Sequence, residues 1–127
     1  MENFIIDFFE LDNGNYPVKD YLNSLDTKMR AKILWTINLL ETNGNMLGMP
    51  YSEHLDDGIF ELRTKQGSDI SWVLYFFCIR RKIILTHGFT KKTNKVPKKE
   101  IETAKKYRDL YLSRKKGEWL CLISEII

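Results

Sequence analysis

Sixteen lysines and arginines fall within residues 58–127 against seven acids, whereas residues 1–57 carry four against ten. Cations at that density are how a small protein holds a polyanion such as nucleic acid, although a charge block also serves simply as a solvated face. The two histidines, His54 and His87, are the side chains that ordinarily titrate near neutral pH. Neither has a companion at metal-ligand spacing, and Cys78 and Cys121 do not form a CxxC pair. The residues therefore predict ordinary reduced thiols and no metal site.

These side chains need a scaffold, and its centre lies between Gly58 and Lys92. Phe60 and Leu62 alternate with Glu61 and Arg63, Val73 to Ile79 is almost continuously apolar, and Ile83 to Phe89 is a third β-rich run. Short polar links, Gln66 to Asp69 and Arg80 to Lys82, join them into an antiparallel meander. Phe4 to Leu11 reads as a first strand closed by the turn cluster Asp12 to Asn15. Pro17 opens a short helix to about Leu25, and Asp26 caps a second to about Thr42, with Met29, Ile33, Ile37 and Leu40 turned inward. Residues 45–57 read as a connecting loop in which His54 is exposed or capping.

Pro97 starts a basic third helix that runs to about Lys116, its inward stripe being Ile101, Ala104, Tyr107 and Tyr111. Beyond Gly117, Trp119, Leu120, Leu122, Ile123, Ile126 and Ile127 form one apolar face of a helix or an added strand, which covers the domain's own core or meets a partner. The organisation is one domain, residues 1–116, with an apolar extension, 117–127. No apolar run reaches the roughly 20 residues of a membrane span, and Met1-Glu2-Asn3 does not begin like a secretory signal, so a cytoplasmic location is expected.

The order of these elements, together with Gly58, Glu61-Leu62-Arg63, Val73-Leu74-Tyr75-Phe76, Leu85-Thr86-His87-Gly88-Phe89-Thr90-Lys91-Lys92-Thr93, Pro97, Glu100 and Ala104, resembles the RelE/ParE toxin superfamily, in its phage-derived, HigB-like branch. The similarity extends over about residues 2–112. It implies an α+β, RelE-like fold: a largely antiparallel twisted sheet of about four strands, two N-terminal helices packed on it, and a basic C-terminal helix. It also implies a toxin of a type II toxin-antitoxin pair that cleaves mRNA on the ribosome without a cofactor. The partner is then an antitoxin, typically a helix-turn-helix protein, with which it can form an oligomer.

Cleavage of that kind is attack of a ribose 2′-hydroxyl on the adjacent phosphate, which requires the phosphate to be held and its developing charge neutralised. Arg63 matches the arginine of the family's strand motif, and its guanidinium fork suits a phosphate bidentately. Lys91 and Lys92 match the basic pair after the last strand, and His87 matches a strand histidine suited to proton transfer or, equally, to a hydrogen-bonded place in the core. Lys65, Lys95, Lys98 and Lys99 extend the expected RNA-binding surface. Where many relatives have an arginine before the Val-Leu-Tyr segment, this chain has Trp72, expected either to stack on an RNA base or to lie in the core. That departure leaves two other readings standing: a toxin-like protein that binds RNA or a partner without cutting, and a ParE-like gyrase inhibitor.

Overall fold

The computed structural model describes residues 3–92 and 94–126, with side chains as far as Lys115. Strand β1 (Ile5–Phe8) is followed by helices α1 (Pro17–Asn23) and α2 (Thr27–Asn43), a single 3-10 turn, strands β2 (Ser52–Asp56), β3 (Ile59–Gln66), β4 (Asp69–Cys78) and β5 (Lys82–Thr90), and helix α3 (Lys98–Ile126). The strands form one sheet in the order β1-β5-β4-β3-β2. Only β1, which lies parallel to β5, departs from antiparallel pairing. This is the α+β architecture expected from the sequence, with one strand more. The additional strand, β2, falls in the stretch read as a loop. It is a polar edge strand of sequence SEHLD, interrupted by a bulge, and so carries no alternating apolar signal.

Both faces of the sheet are covered, which explains why β4 is apolar almost without a break: Ile70 to Phe76 is buried throughout. One face packs against α1 and α2 through Leu62, Val73, Tyr75, Ile83 and Leu85, which meet Val18, Leu22, Ile33 and Leu40. The other packs against α3 through Ile59, Trp72, Leu74, Phe76 and Ile84, which meet Ala104 and Tyr111. Asp26 caps α2 by accepting from the Met29 amide at 2.8 Å, and Arg30 donates to the carbonyls of Leu22 and Leu25, fixing the α1–α2 corner. Tyr21 presses so closely on β5 that a Cβ at Gly88 would collide with its ring, and its hydroxyl reaches both Ser71 and Thr90.

Helix α3 begins directly after Pro97, whose carbonyl accepts from the amides of Glu100 and Ile101. Its backbone is continuous past Gly117, so the extension is helix, not strand, and the helix does not end near Lys116. Where Trp119, Leu120, Leu122, Ile123, Ile126 and Ile127 pack, and the state of Cys121, lie outside the described side chains. Cys78 is a free thiol.

Part of the charge asymmetry is resolved within the fold. Lys105 donates to Asp56 at 2.6 Å, Arg108 pairs with Asp57, and Arg114 reaches the Glu10 carbonyl and the Asp12 carboxylate. The basic face of α3 is in these places a clamp on the acidic first half of the chain. The hydrogen bond and charge of Lys105 hold the Asp56 carboxyl below the ordinary carboxylate range, with smaller contributions from His54 and Lys98. Those cations are committed to the chain's own acids rather than to a polyanion.

Candidate nucleic-acid interface

Strand register sets the expected site residues in rows across the α3-covered face. Arg63 stands beside Trp72, which stands beside Phe89. Glu61, Leu74 and His87 form the next row inward. At the outer end Lys65 pairs with Ile70, and the Lys91 amide extends the ladder by donating to the Ile70 carbonyl. The sheet thus ends in cations and becomes apolar and acidic toward its middle.

Arg63 is half-buried, and its Nη2 donates to the Asn94 Oδ1 at 2.8 Å. Asn94 belongs to the segment joining β5 to α3, so this bond draws Lys91 and Lys92 toward the same end of the sheet as the guanidinium. One hydrogen bond leaves most of the five N–H donors of the fork for a ligand. Among the described residues Arg63 makes no ion pair with Glu61, the structural partner its position two residues away would suggest. Lys65, Lys92, Lys95 and Lys99 are exposed at or near this end, and Lys91 is partly buried. Lys98 is also exposed but lies close enough to Asp56 to act on its carboxyl, so it belongs with the acidic edge as much as with this cluster.

Trp72 does not offer a face to RNA. It is fully buried, stacks on Phe89 at a centroid distance of 5.6 Å, and donates its indole N–H to the Glu61 Oε2 at 3.0 Å. This corrects the expectation of a stacking platform and also accounts for Glu61. Burial pushes the Glu61 carboxyl above its ordinary pKa, while the Trp72 hydrogen bond and the nearby Arg63 charge act in the opposite sense. An apolar ring over a strand and a carboxylate on its neighbour are a matched pair: each explains the other's presence in the core.

His87 is placed by a β-bulge. Register shifts between Leu74 and Tyr75 because Thr86 has no opposing residue, and the inserted residue swings His87 onto the α3 side. There it is nine-tenths buried, its Nδ1 lies 3.1 Å from the Thr86 hydroxyl, and its ring meets the edge of Tyr107. The Nε2 atom sits 3.4 Å from the Glu100 carboxylate, too poorly aligned for a hydrogen bond. Burial lowers the imidazole pKa, with Glu100 opposing, and leaves the ring neutral at pH 7. As placed, His87 packs between β5 and α3 and does not reach solvent as a proton-transfer group would. Because its folded pKa lies below the ordinary 6.5, the unfolded chain takes up protons first as pH falls. Stability is accordingly expected to decline from about pH 6.5 downward through the folded pKa, and urea titrations of His87→Gln should lose that part of the pH dependence.

Asn94 as the partner of Arg63, Glu100 as the neighbour of His87, and the Glu61–Trp72 pair have no signal in the sequence, because strand alternation and helical spacing do not say which side chains meet between one element and the next. Among the described residues no group of three His, Cys, Asp or Glu side chains gathers to hold a metal ion. None of the described helices is long and apolar enough to cross a membrane. A family model described as phage derived protein Gp49-like (DUF891) matches residues 20–109. No curated protein matches the chain.

Proposed function

The chain belongs to the phage-derived Gp49-like family, a family of RelE-like toxin-type proteins, and from that premise we propose that it is a ribosome-dependent endoribonuclease held in check by an antitoxin. The observation that carries the reading is the Arg63 guanidinium, anchored by Asn94 at the cationic end of the sheet with Lys91 and Lys92 on the adjoining segment. A fork so placed grips two non-bridging oxygens of a phosphate and strengthens its hold as charge builds up in the transition state. The ribose 2′-oxygen forms a bond to phosphorus as the bond to the 5′-oxygen breaks. One proton leaves the 2′-hydroxyl and one reaches the departing 5′-oxygen. Lys91 and Lys92 supply further positive charge to the phosphate and its neighbours. His87 serves from the wall of the site, where its ring packs against Tyr107 of α3.

The burial of Trp72, at a position where the resemblance implies an arginine in many relatives, favours a second reading in which the protein binds RNA without cutting it. One experiment separates the two. Purified protein is added to programmed ribosomes and to free mRNA, and the RNA ends are mapped. The proposal expects cuts within codons on ribosomes, leaving a cyclic phosphate upstream and a 5′-hydroxyl downstream. RNA that is retained but intact favours the second reading. Inhibition of DNA supercoiling with translation untouched would point to gyrase and sink both.

A further inference from the structure

Where β3 runs past the start of β2, a groove of about 500 Å³ opens between the sheet edge and α2. Its walls carry Lys32 and Trp35 from α2, Tyr51 from the approach to β2 and Thr64 from β3, and around the sheet edge it is also lined by Arg63 and Lys65, whose strand positions belong to the opposite face. None of the described residues lining it is acidic, and neither Lys32 nor Lys65 has an acidic partner among the described residues. Trp35 is 49% exposed, although a tryptophan is usually among the more buried side chains. Its ring packs edge to face with that of Tyr51 at 5.9 Å and 74°, a contact that fixes its orientation while about half of its surface stays exposed. Tyr51 is in turn pinned to the site already described, because its carbonyl accepts from the Arg63 amide at 2.7 Å.

Half-exposed aromatic rings among unpaired cations are the composition that single-stranded nucleic acid recognises: every base has a face to stack, and every linkage a charge to neutralise. We propose that this groove takes the single-stranded RNA flanking the phosphate at Arg63, one base stacking on Trp35 and the backbone running past Lys32 and Lys65. The inference rests on the reading of the chain as an RNA-acting toxin and deepens it, adding a stacking subsite on the α2 side of the sheet edge. It gives the protein the aromatic platform that Trp72 does not provide.

The test uses a short fluorescent oligoribonucleotide with 2′-O-methyl groups throughout, which lacks the attacking hydroxyl and cannot be cut. Its affinity for the full chain is measured over a series of salt concentrations. Trp35→Ala is expected to weaken binding roughly tenfold to a hundredfold with the salt dependence unchanged, and Trp35→Phe to retain most of the affinity. Lys32→Ala and Lys65→Ala should each reduce the slope of log affinity against log salt by about 0.7. Unaltered affinity in Trp35→Ala, or no binding by the parent protein, would overturn the proposal. If Trp35→Ala instead keeps its RNA affinity but no longer co-purifies with the antitoxin, the groove is a protein interface and the proposal likewise falls. Trp35-dependent binding by a protein that cuts no RNA on ribosomes would leave this subsite standing while removing the nuclease reading.

Discussion

Arg63→Ala is expected to lower the rate of mRNA cleavage on ribosomes by about 10²- to 10³-fold, the usual cost of deleting a preorganised donor to a developing oxyanion. The stability of the variant should change little. Arg63 is half-buried at the end of the sheet and its guanidinium has one protein partner, the exposed Asn94, so its removal leaves no buried group without a hydrogen bond. Arg63→Lys is the sharper comparison. It keeps the charge but loses the planar fork, so it should restore a part of RNA affinity and little of the rate. Asn94→Ala should have a smaller effect in the same direction, because it frees the guanidinium to adopt other rotamers without removing it. The measurements are single-turnover cleavage on programmed ribosomes and urea denaturation of the same preparations. If Arg63→Ala cuts as fast as the parent, the phosphate is held elsewhere.

Arg63 was singled out by its match to the strand motif of the family the chain resembles, and the residues alone give only the side of the sheet on which it lies. Its strand alternates, so Leu62 faces α2 and Arg63 the opposite side, and a period of two is readable from a single sequence. The meander was legible on the same ground, as was α2, where Asp26 and the four residues Met29, Ile33, Ile37 and Leu40 all take the places their spacing gave them. Legibility failed where the pattern is non-local. β2 is stabilised by pairing with β3 and by the bond between Ser52 and Tyr75, not by its own composition. The side of the sheet on which His87 lies depends on an inserted residue at Thr86, which changes no residue type. Positive charge misled in the same way, since Lys105, Arg108 and Arg114 read as a basic face until the acids opposite them, 49 to 102 residues earlier in the chain, are seen.

Trp72 carries the second large expectation, this time on stability. Replacing a fully buried tryptophan by alanine removes its transfer free energy and leaves a cavity beneath α3, for a loss of about 3–5 kcal/mol. A tryptophan exposed for base stacking would lose a small fraction of that, so denaturation alone separates the two roles. Trp72→Phe isolates the polar part of the interaction. It keeps an aromatic ring against Phe89 but deprives the Glu61 carboxylate of its indole donor, which should cost about 1–3 kcal/mol near neutral pH. The pH dependence supplies the signature. The Glu61 pKa is raised on folding, so its contribution to stability is greatest below the ordinary 4.5 and is lost as pH rises through the folded value. Without the Trp72 hydrogen bond, which favours the ionised form, the folded pKa should rise further. Trp72→Phe should therefore be closest to the parent in acid and furthest from it at neutral pH. A uniform loss across pH would mean that the indole N–H contributes nothing specific to Glu61. The same carboxylate also explains why placing a cation at position 72 is not a simple gain. An arginine at 72 would enter a row already holding Arg63 and Phe89, with Glu61 as the neighbouring counter-charge within the core, and an ion pair there must recover the desolvation of both partners before it stabilises anything.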